Sequence, residues 1–243
     1  MKPLIIILQN PSSFEIRSVL SAILISDKFT YLRSTIEDLT SFKDALIAGA
    51  MPIGSVEFVR LAMQVAGIIE PENISYPTGC DKYLCRKIVK TTLGNIENKK
   101  CFIKPVLTKQ FTGCIFNPCG LNSEIDVLPL FTQIWISEIV EFKSEWRYYI
   151  KNHKIIGYSQ YHQTNESIDK PNIDIVNEFI SQKLAGNYYC ADFGVLQNGE
   201  TALIEVNDAW AIGLYVESIS SKQYLDFLWG RWSEIQLNRI FYE

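Results

Sequence analysis

Three oxygen-bearing side chains, Asp192, Glu205 and Asn207, stand where the residue order can gather them. Glu205 and Asn207 fall in the apolar run Ala202-Leu203-Ile204-Glu205-Val206-Asn207-Asp208, which reads as a strand. Strand side chains alternate faces, so the carboxylate and the amide share one side while Ile204 and Val206 point into the core. Upstream, Tyr188 to Val195 reads as a second buried strand carrying one acid, Asp192, and Gln197-Asn198-Gly199-Glu200 supplies a hairpin turn between the two. The turn sets Asp192 beside Glu205 and Asn207. Such hard oxygen donors suit magnesium, which usually binds a few carboxylates plus substrate phosphates rather than an all-protein cage. The trio therefore reads as half of a site completed by a nucleotide; the competing reading is a hairpin whose polar residues face water.

Cations are the natural counterpart. Lys104 interrupts the apolar strand Cys101-Phe102-Ile103-Lys104-Pro105, and a lysine on a buried strand needs an anionic partner. Lys82, Arg86 and Lys90 recur every four residues after Asp81, which predicts a capped helix with one basic side, either a solvated charged face or part of an anion site. Thr108-Lys109-Gln110-Phe111-Thr112-Gly113 is a short polar loop that suits phosphates or an ordinary hairpin. In the strand Glu141 to Ile150, Glu145 and Arg147 occupy one face and Trp146 and Tyr148 the other; the charged two fit either a site or a surface ion pair.

These residues need elements to hold them. Met1 to Leu8 reads as a buried first strand, and Ser12-Ser13-Phe14-Glu15 as a capping box opening a helix with Ile16, Val19, Leu20, Ile23 and Leu24 on one face. A short strand over 28–33 and a helix over 54–67 complete a small β-α-β-α unit. The breaker-rich segment Glu70 to Gly79 predicts a boundary, giving domains 1–77 and 78–243. Beyond it come the strand Gln133 to Val140, a ladder turning at Asn152-His153, a helix after Pro171 ending at Gly186, and a C-terminal helix bearing Leu225, Leu228, Trp229, Trp232 and Ile235.

Composition narrows the function classes. Across 243 residues, 47% are hydrophobic and 21% charged, with no repetitive or polar tract, so the chain is expected to fold throughout. A net charge of −4 argues against a broad nucleic-acid footprint and requires any anion site to be local. No run approaches membrane-spanning length, and Met1 to Leu8 is too short for a signal segment, so no membrane partner is expected. Six cysteines set in apolar segments favour a reducing, cytoplasmic location. The wide Cys80/Cys85 and Cys114/Cys119 gaps, with only His153 and His162 in addition, do not suit structural zinc.

Taken in order, Phe102-Ile103-Lys104-Pro105, the strand Ile136-Ser137-Glu138-Ile139-Val140, the Glu145-Trp146-Arg147 strand and the terminal Asp192 with Glu205-Val206-Asn207 resemble the ATP-grasp superfamily over roughly residues 80 to 215. With Pro52-Ile53-Gly54-Ser55-Val56-Glu57-Phe58 in the first domain, the chain looks most like the compact branch named for two arginines and one lysine. The resemblance implies an α+β chain in which two α+β subdomains clamp a nucleotide, preceded by a small α/β pre-ATP-grasp domain. Adenine would lie against the backbone of Ser137, Glu138, Ile139 and Val140, and Glu145 would accept the ribose hydroxyls. Lys104 would meet the α/β-phosphates, Arg86 and Arg147 would be the two arginines, the loop Lys109 to Gly113 would close over the reaction, and Asp192, Glu205 and Asn207 would hold Mg2+.

The implied activity is ATP-dependent ligation of a carboxylate to an amine through an acyl phosphate, with Lys104 and Arg147 as the catalytic cations. A small-molecule kinase on the same scaffold and a nucleotide-binding regulator without turnover are the alternatives. Small-molecule or peptide substrates are the implied partners, and a homodimer is compatible with the sequence. One departure concerns the acceptor side: Asp208-Ala209-Trp210-Ala211-Ile212-Gly213 replaces the small residue, proline and glycine of many relatives, which leaves the substrate open, and Tyr158 to Tyr161 is expected to help select it.

Overall fold

The computed structural model describes residues 3–120, 124–163 and 168–237; Met1 and Lys2, the head of the expected first strand, lie outside these. The first unit runs β1 (Leu4–Gln9), α1 (Phe14–Leu24), β2 (Phe29–Ser34), α2 (Lys43–Ile47), β3 (Met51–Ile53) and α3 (Val56–Val65). Its strands are parallel in the order β2-β1-β3. Helix α1 starts one residue later than the expected capping box: Ser13, not Ser12, is the cap, and its hydroxyl accepts the Ile16 N–H at 3.3 Å. Strand β3 and helix α2 were not read from the sequence, being three and five residues long and so below the length at which periodicity speaks.

The predicted helix beyond Asp81 does not form. Asp81–Tyr83 makes a single 3-10 turn, Cys85 takes a left-handed φ of 50°, and the chain then enters strand β4 (Ile88–Thr92). The every-fourth-residue cations therefore diverge. Lys82 pairs with Glu178, Arg86 turns inward, and Lys90 lies over the Trp135 ring. Strand pairing with a distant segment overrode a local helical pattern.

Two antiparallel sheets follow. Strands β5 (Cys101–Pro105), β6 (Cys114–Phe116) and β7 (Gln133–Ser137) join β4 in the order β4-β7-β5-β6. Strands β8 (Phe142–Lys151), β9 (Lys154–Gln163), β10 (Tyr188–Leu196) and β11 (Thr201–Asp208) form a second sheet in the order β11-β10-β8-β9. The turn residues Asn152 and His153 both adopt positive φ, as a two-residue β8–β9 hairpin requires, and Gly199 at φ 88° serves the β10–β11 turn. Helix α4 (Ile173–Ser181) covers one face of this sheet, stopping short of the expected Gly186; α5 (Ser221–Gln236) closes the described chain on the other.

The second sheet changes character along one face. Tyr149 and Cys190 point into a core shared by β1, α1, α3 and α5, whereas Arg147 and Asp192, two residues further along the same face, emerge from it. That core is continuous across the expected 77/78 boundary: Trp229 of α5 meets Phe29 of β2 edge-on at 5.4 Å, and the Trp232 indole donates to the Gly49 carbonyl at 3.3 Å. The opposite face packs Trp146, Tyr148, Tyr189 and Phe193 against Val176, Phe179 and Ile180 of α4. Apolar burial at both ends thus holds a charged middle in place.

Candidate active site

Registry across three adjacent strands builds the centre of the site. Arg147 of β8 stands opposite Asp192 of β10, which stands opposite Glu205 of β11, so the three form one cross-strand row. The Arg147 guanidinium grips Asp192 with two parallel bonds, Nε to Oδ1 at 2.8 Å and Nη2 to Oδ2 at 2.7 Å. The Asp192 side chain is only 1% exposed. Lys104 arrives from the other sheet to pair with Glu205 and also donates to the Ser75 hydroxyl at 3.4 Å. Asn207 donates its amide to Glu205 Oε1 at 2.9 Å and to Asp192 Oδ2 at 3.3 Å, tying the two carboxylates together.

Burial and pairing oppose each other throughout this cluster. Burial, the largest single influence, would lower the Lys104 pKa, yet Glu205, Tyr76 and Asp192 together outweigh it and hold the ammonium above its ordinary value. Burial likewise presses Glu205 upward, but Lys104 and the Asn207 amide bring it below the usual carboxylate range. Asp192 goes the other way: full burial, aided by the Glu205 charge, keeps it raised in spite of Arg147. For Arg147 desolvation is the largest single influence, but the charge and hydrogen bonds of Asp192, with Cys190 and Tyr215 beside it, together overcome it and keep the guanidinium firmly charged.

The expected alternation of β11 breaks at one position. Ile204 does not point into the core. A β-bulge after Asp192 leaves Ile204 as the extra residue on β11, and it lines the cleft beside Glu205. The two consecutive carbonyls at the bulge, Leu203 and Ile204, both accept from Arg86, at 2.9 and 3.1 Å, and Arg86 also donates to the Leu84 carbonyl. Arg86 therefore arrives as the lock of the bulge, not on a basic helix.

A cavity of about 920 Å³ opens between the two antiparallel sheets. Arg86, Lys104, Lys109, Ser137, Glu138, Ile139, Val140, Glu145, Arg147, Glu205 and Asn207 all line it, and Asp192, alone among the site residues implied by the resemblance, lies beneath its surface, while Lys82 and Lys90 do not line it. The Glu138 carboxylate accepts the Lys87 N–H at 2.8 Å, fixing the strand end that the cleft uses as a wall. Two smaller cavities, about 590 and 470 Å³, adjoin the first at Ala211 and Ile212, and Trp210 lines both of them.

Several cleft residues carried no sequence signal. Ser75 and Tyr76 lie in the irregular connection, which is pinned to β11 by the Val206 N–H bonded to the Ser75 carbonyl at 2.9 Å. The Lys104 ammonium lies 5.0 Å from the Tyr76 ring centre. Tyr215 follows β11 and reaches Arg147. Their one signal in the sequence is indirect, since the cations Lys104 and Arg147 on apolar strands require neighbours without specifying which.

A family model for the ATP-grasp domain, R2K clade family 2, matches residues 83–227, more than half of the chain. The chain belongs to that ATP-grasp family. Solved structures agree on the fold. D-alanine–D-alanine ligase from Bacillus anthracis complexed with ATP superposes with a TM-score of 0.58 at 14% identity, covering 99% of this chain and 100% of that one. The ATP-grasp ligase PsnB complexed with minimal precursor gives 0.55 at 13% identity, covering 95% and 100%. D-cycloserine synthetase DcsG gives 0.55 at 10%, covering 94% and 99%. No curated protein matches the sequence. The ATP-grasp fold therefore accounts for the pair of antiparallel sheets. Among the described residues no helix is long and apolar enough to cross a membrane.

Proposed function

We propose that this chain is an ATP-dependent ligase that joins a carboxylate to an amine. The observation that carries the reading is the gathering of two cation–carboxylate pairs, Arg147–Asp192 buried and Lys104–Glu205 half-buried, at one cavity of nucleotide size. Buried charges demand partners, and here they neutralise one another. A magnesium–triphosphate brings both signs at once, so its phosphates suit Lys104 and Arg147 while its cation suits the carboxylates.

The donor set fits magnesium. Among the described residues no group of three or more His, Cys, Asp or Glu side chains is placed to hold a metal, and three donors are reached only with the Asn207 amide. Two carboxylates and an amide, completed by phosphate oxygens, are what this ion prefers. Asp192, Glu205 and Asn207 would hold it, and its chemistry there is charge neutralisation on the transferred phosphoryl group.

The chain's own residues do the rest. The ends of β7 and β8, with Glu138 and Glu145, support the nucleoside, and Lys104 and Arg147 hold the phosphates in line. A substrate carboxylate oxygen attacks the γ-phosphorus, the bond to the β-phosphate oxygen breaks, and ADP leaves. The amine nitrogen then attacks the acyl carbon, inorganic phosphate departs with the electron pair of the C–O bond, and the nitrogen loses a proton to solvent. The loop around Lys109 borders the cleft where water must be excluded.

The names of the structural neighbours, ligases for D-alanine and for a precursor, support a small-molecule or peptide substrate pair. The test is a screen of carboxylates with and without amines, reading ADP and coupled product. ADP and phosphate formed with an amide, and dependent on the amine, is the expected result. Amine-independent ADP with a phosphorylated hydroxyl would assign a kinase, and nucleotide binding without ADP under any mixture would assign a regulator.

A further inference from the structure

An arginine has two separable recognition surfaces: its edge carries the N–H donors, and its flat faces accept aromatic rings. In Arg147 the edge is taken by Asp192, yet the guanidinium carbon also lies 4.8 Å from the Tyr215 ring centre and 5.7 Å from that of Tyr161. Those two rings stack on each other at 5.1 Å with 10° between their planes, and both line the large cavity. Their hold on Arg147 does not depend on Asp192.

The platform is itself anchored. The Tyr149 hydroxyl donates to the Gly213 carbonyl at 2.9 Å and accepts the Tyr215 N–H at 3.0 Å. Tyr149 is fully buried and follows Arg147 by two residues on the same strand face, so the arginine and the base of its platform are set by one strand. Lys104 differs, since among the described residues its ammonium has one ring, Tyr76, at 5.0 Å.

We infer that Tyr215, joined by Tyr161 beside it, is a positioning residue that keeps Arg147 aimed at the γ-phosphate when its edge passes from Asp192 to the nucleotide. The inference rests on the nucleotide reading proposed above. Exchanging Asp192 for a phosphate frees a long, flexible side chain at the moment it must be fixed. A ring contact that survives the exchange limits the entropy lost in each state.

The test measures dissociation constants of the full chain for magnesium with ADP and with a non-hydrolysable imido analogue of ATP. Tyr215→Leu is expected to weaken the triphosphate analogue about tenfold, with ADP affinity unchanged, and Tyr215→Phe is expected to retain both. Tyr161→Leu gives the same selective loss to a smaller degree and serves if Tyr215→Leu does not fold. Equal weakening of both nucleotides, no weakening, or a phenylalanine as weak as leucine would overturn the inference while the nucleotide reading stands. Wild-type chain that binds neither nucleotide would overturn both.

Discussion

The β10–β11 hairpin carries two aspartates, each gripped by an arginine through two bonds, and only one of these pairs faces the cleft. Arg231 of α5 holds Asp208 at 2.7 and 2.6 Å and also bonds Glu234, joining the C-terminal helix to the end of the sheet. Arg147 holds Asp192 at nearly the same distances. Around Asp208 the polar groups close on themselves, since its other bond goes to the Trp210 N–H. Around Asp192 a second acid, an amide, a lysine and two stacked tyrosines converge on a cavity. A bidentate arginine–carboxylate pair is thus no mark of function in itself. The mark is surplus charge and donors gathered beside open space.

The largest expected effect lies on the cleft side. Glu205→Gln keeps the shape but removes the charge that balances Lys104, and ATP turnover should fall more than about a hundredfold, beyond the loss typical of outer partners of a metal site; rate measurements across magnesium concentrations check it. Next come the two arginines. Arg147→Leu strands the buried Asp192 carboxylate and should cost about 3–5 kcal/mol in urea unfolding, and Arg231→Leu, which strands the half-buried Asp208, should cost less. Only Arg147→Leu should erase the preference for a triphosphate over a diphosphate. Equal effects of the two on nucleotide binding would dissolve the contrast.

The stability–pH curve separates the pairs further. Glu205 is lowered in the fold, so its contribution is complete above the ordinary glutamate pKa and is lost as pH falls through the lowered value. Lys104 is raised, so its contribution is complete below the ordinary lysine pKa and is lost as pH rises through the raised value. Asp192, raised by burial, works against the acid loss because it takes up a proton more readily folded than unfolded. Unfolding at pH 7 and pH 4 should therefore show a shallower acid loss in Glu205→Gln and a steeper one in Asp192→Asn than in wild type. The smallest effect is expected from Tyr149→Phe, about 1–2 kcal/mol for two bonds left open, with triphosphate affinity loosened through Tyr215.

Much of this arrangement was legible in residue order, and the reasons are physical. Alternation made the β10–β11 hairpin readable, and Gly199 fixed its turn, so the neighbourhood of Asp192, Glu205 and Asn207 followed from local rules. Long amphipathic helices such as α3 and α5 announced themselves by period. The segment after Asp81 misled because Lys82, Arg86 and Lys90 carry a helical spacing while β4 is dictated by pairing with β7, whose partners lie 41 to 49 positions further along the chain. The bulge that turns Ile204 into the cleft depends on Arg86 capturing two carbonyls, a contact across more than a hundred residues that no local pattern encodes. The partners of the cations were foreseen in kind, since buried charges require them, but which acid met which base came from the meeting of two sheets.

The most direct test of the central claim is a crystal structure of the chain with manganese, in place of magnesium, and the imido analogue of ATP, with the metal located by its anomalous signal. The account predicts the ion between Asp192, Glu205 and Asn207, with Lys104 and Arg147 turned from their carboxylates to the phosphates. An ion or nucleotide bound elsewhere, with both cation–carboxylate pairs intact, would contradict it.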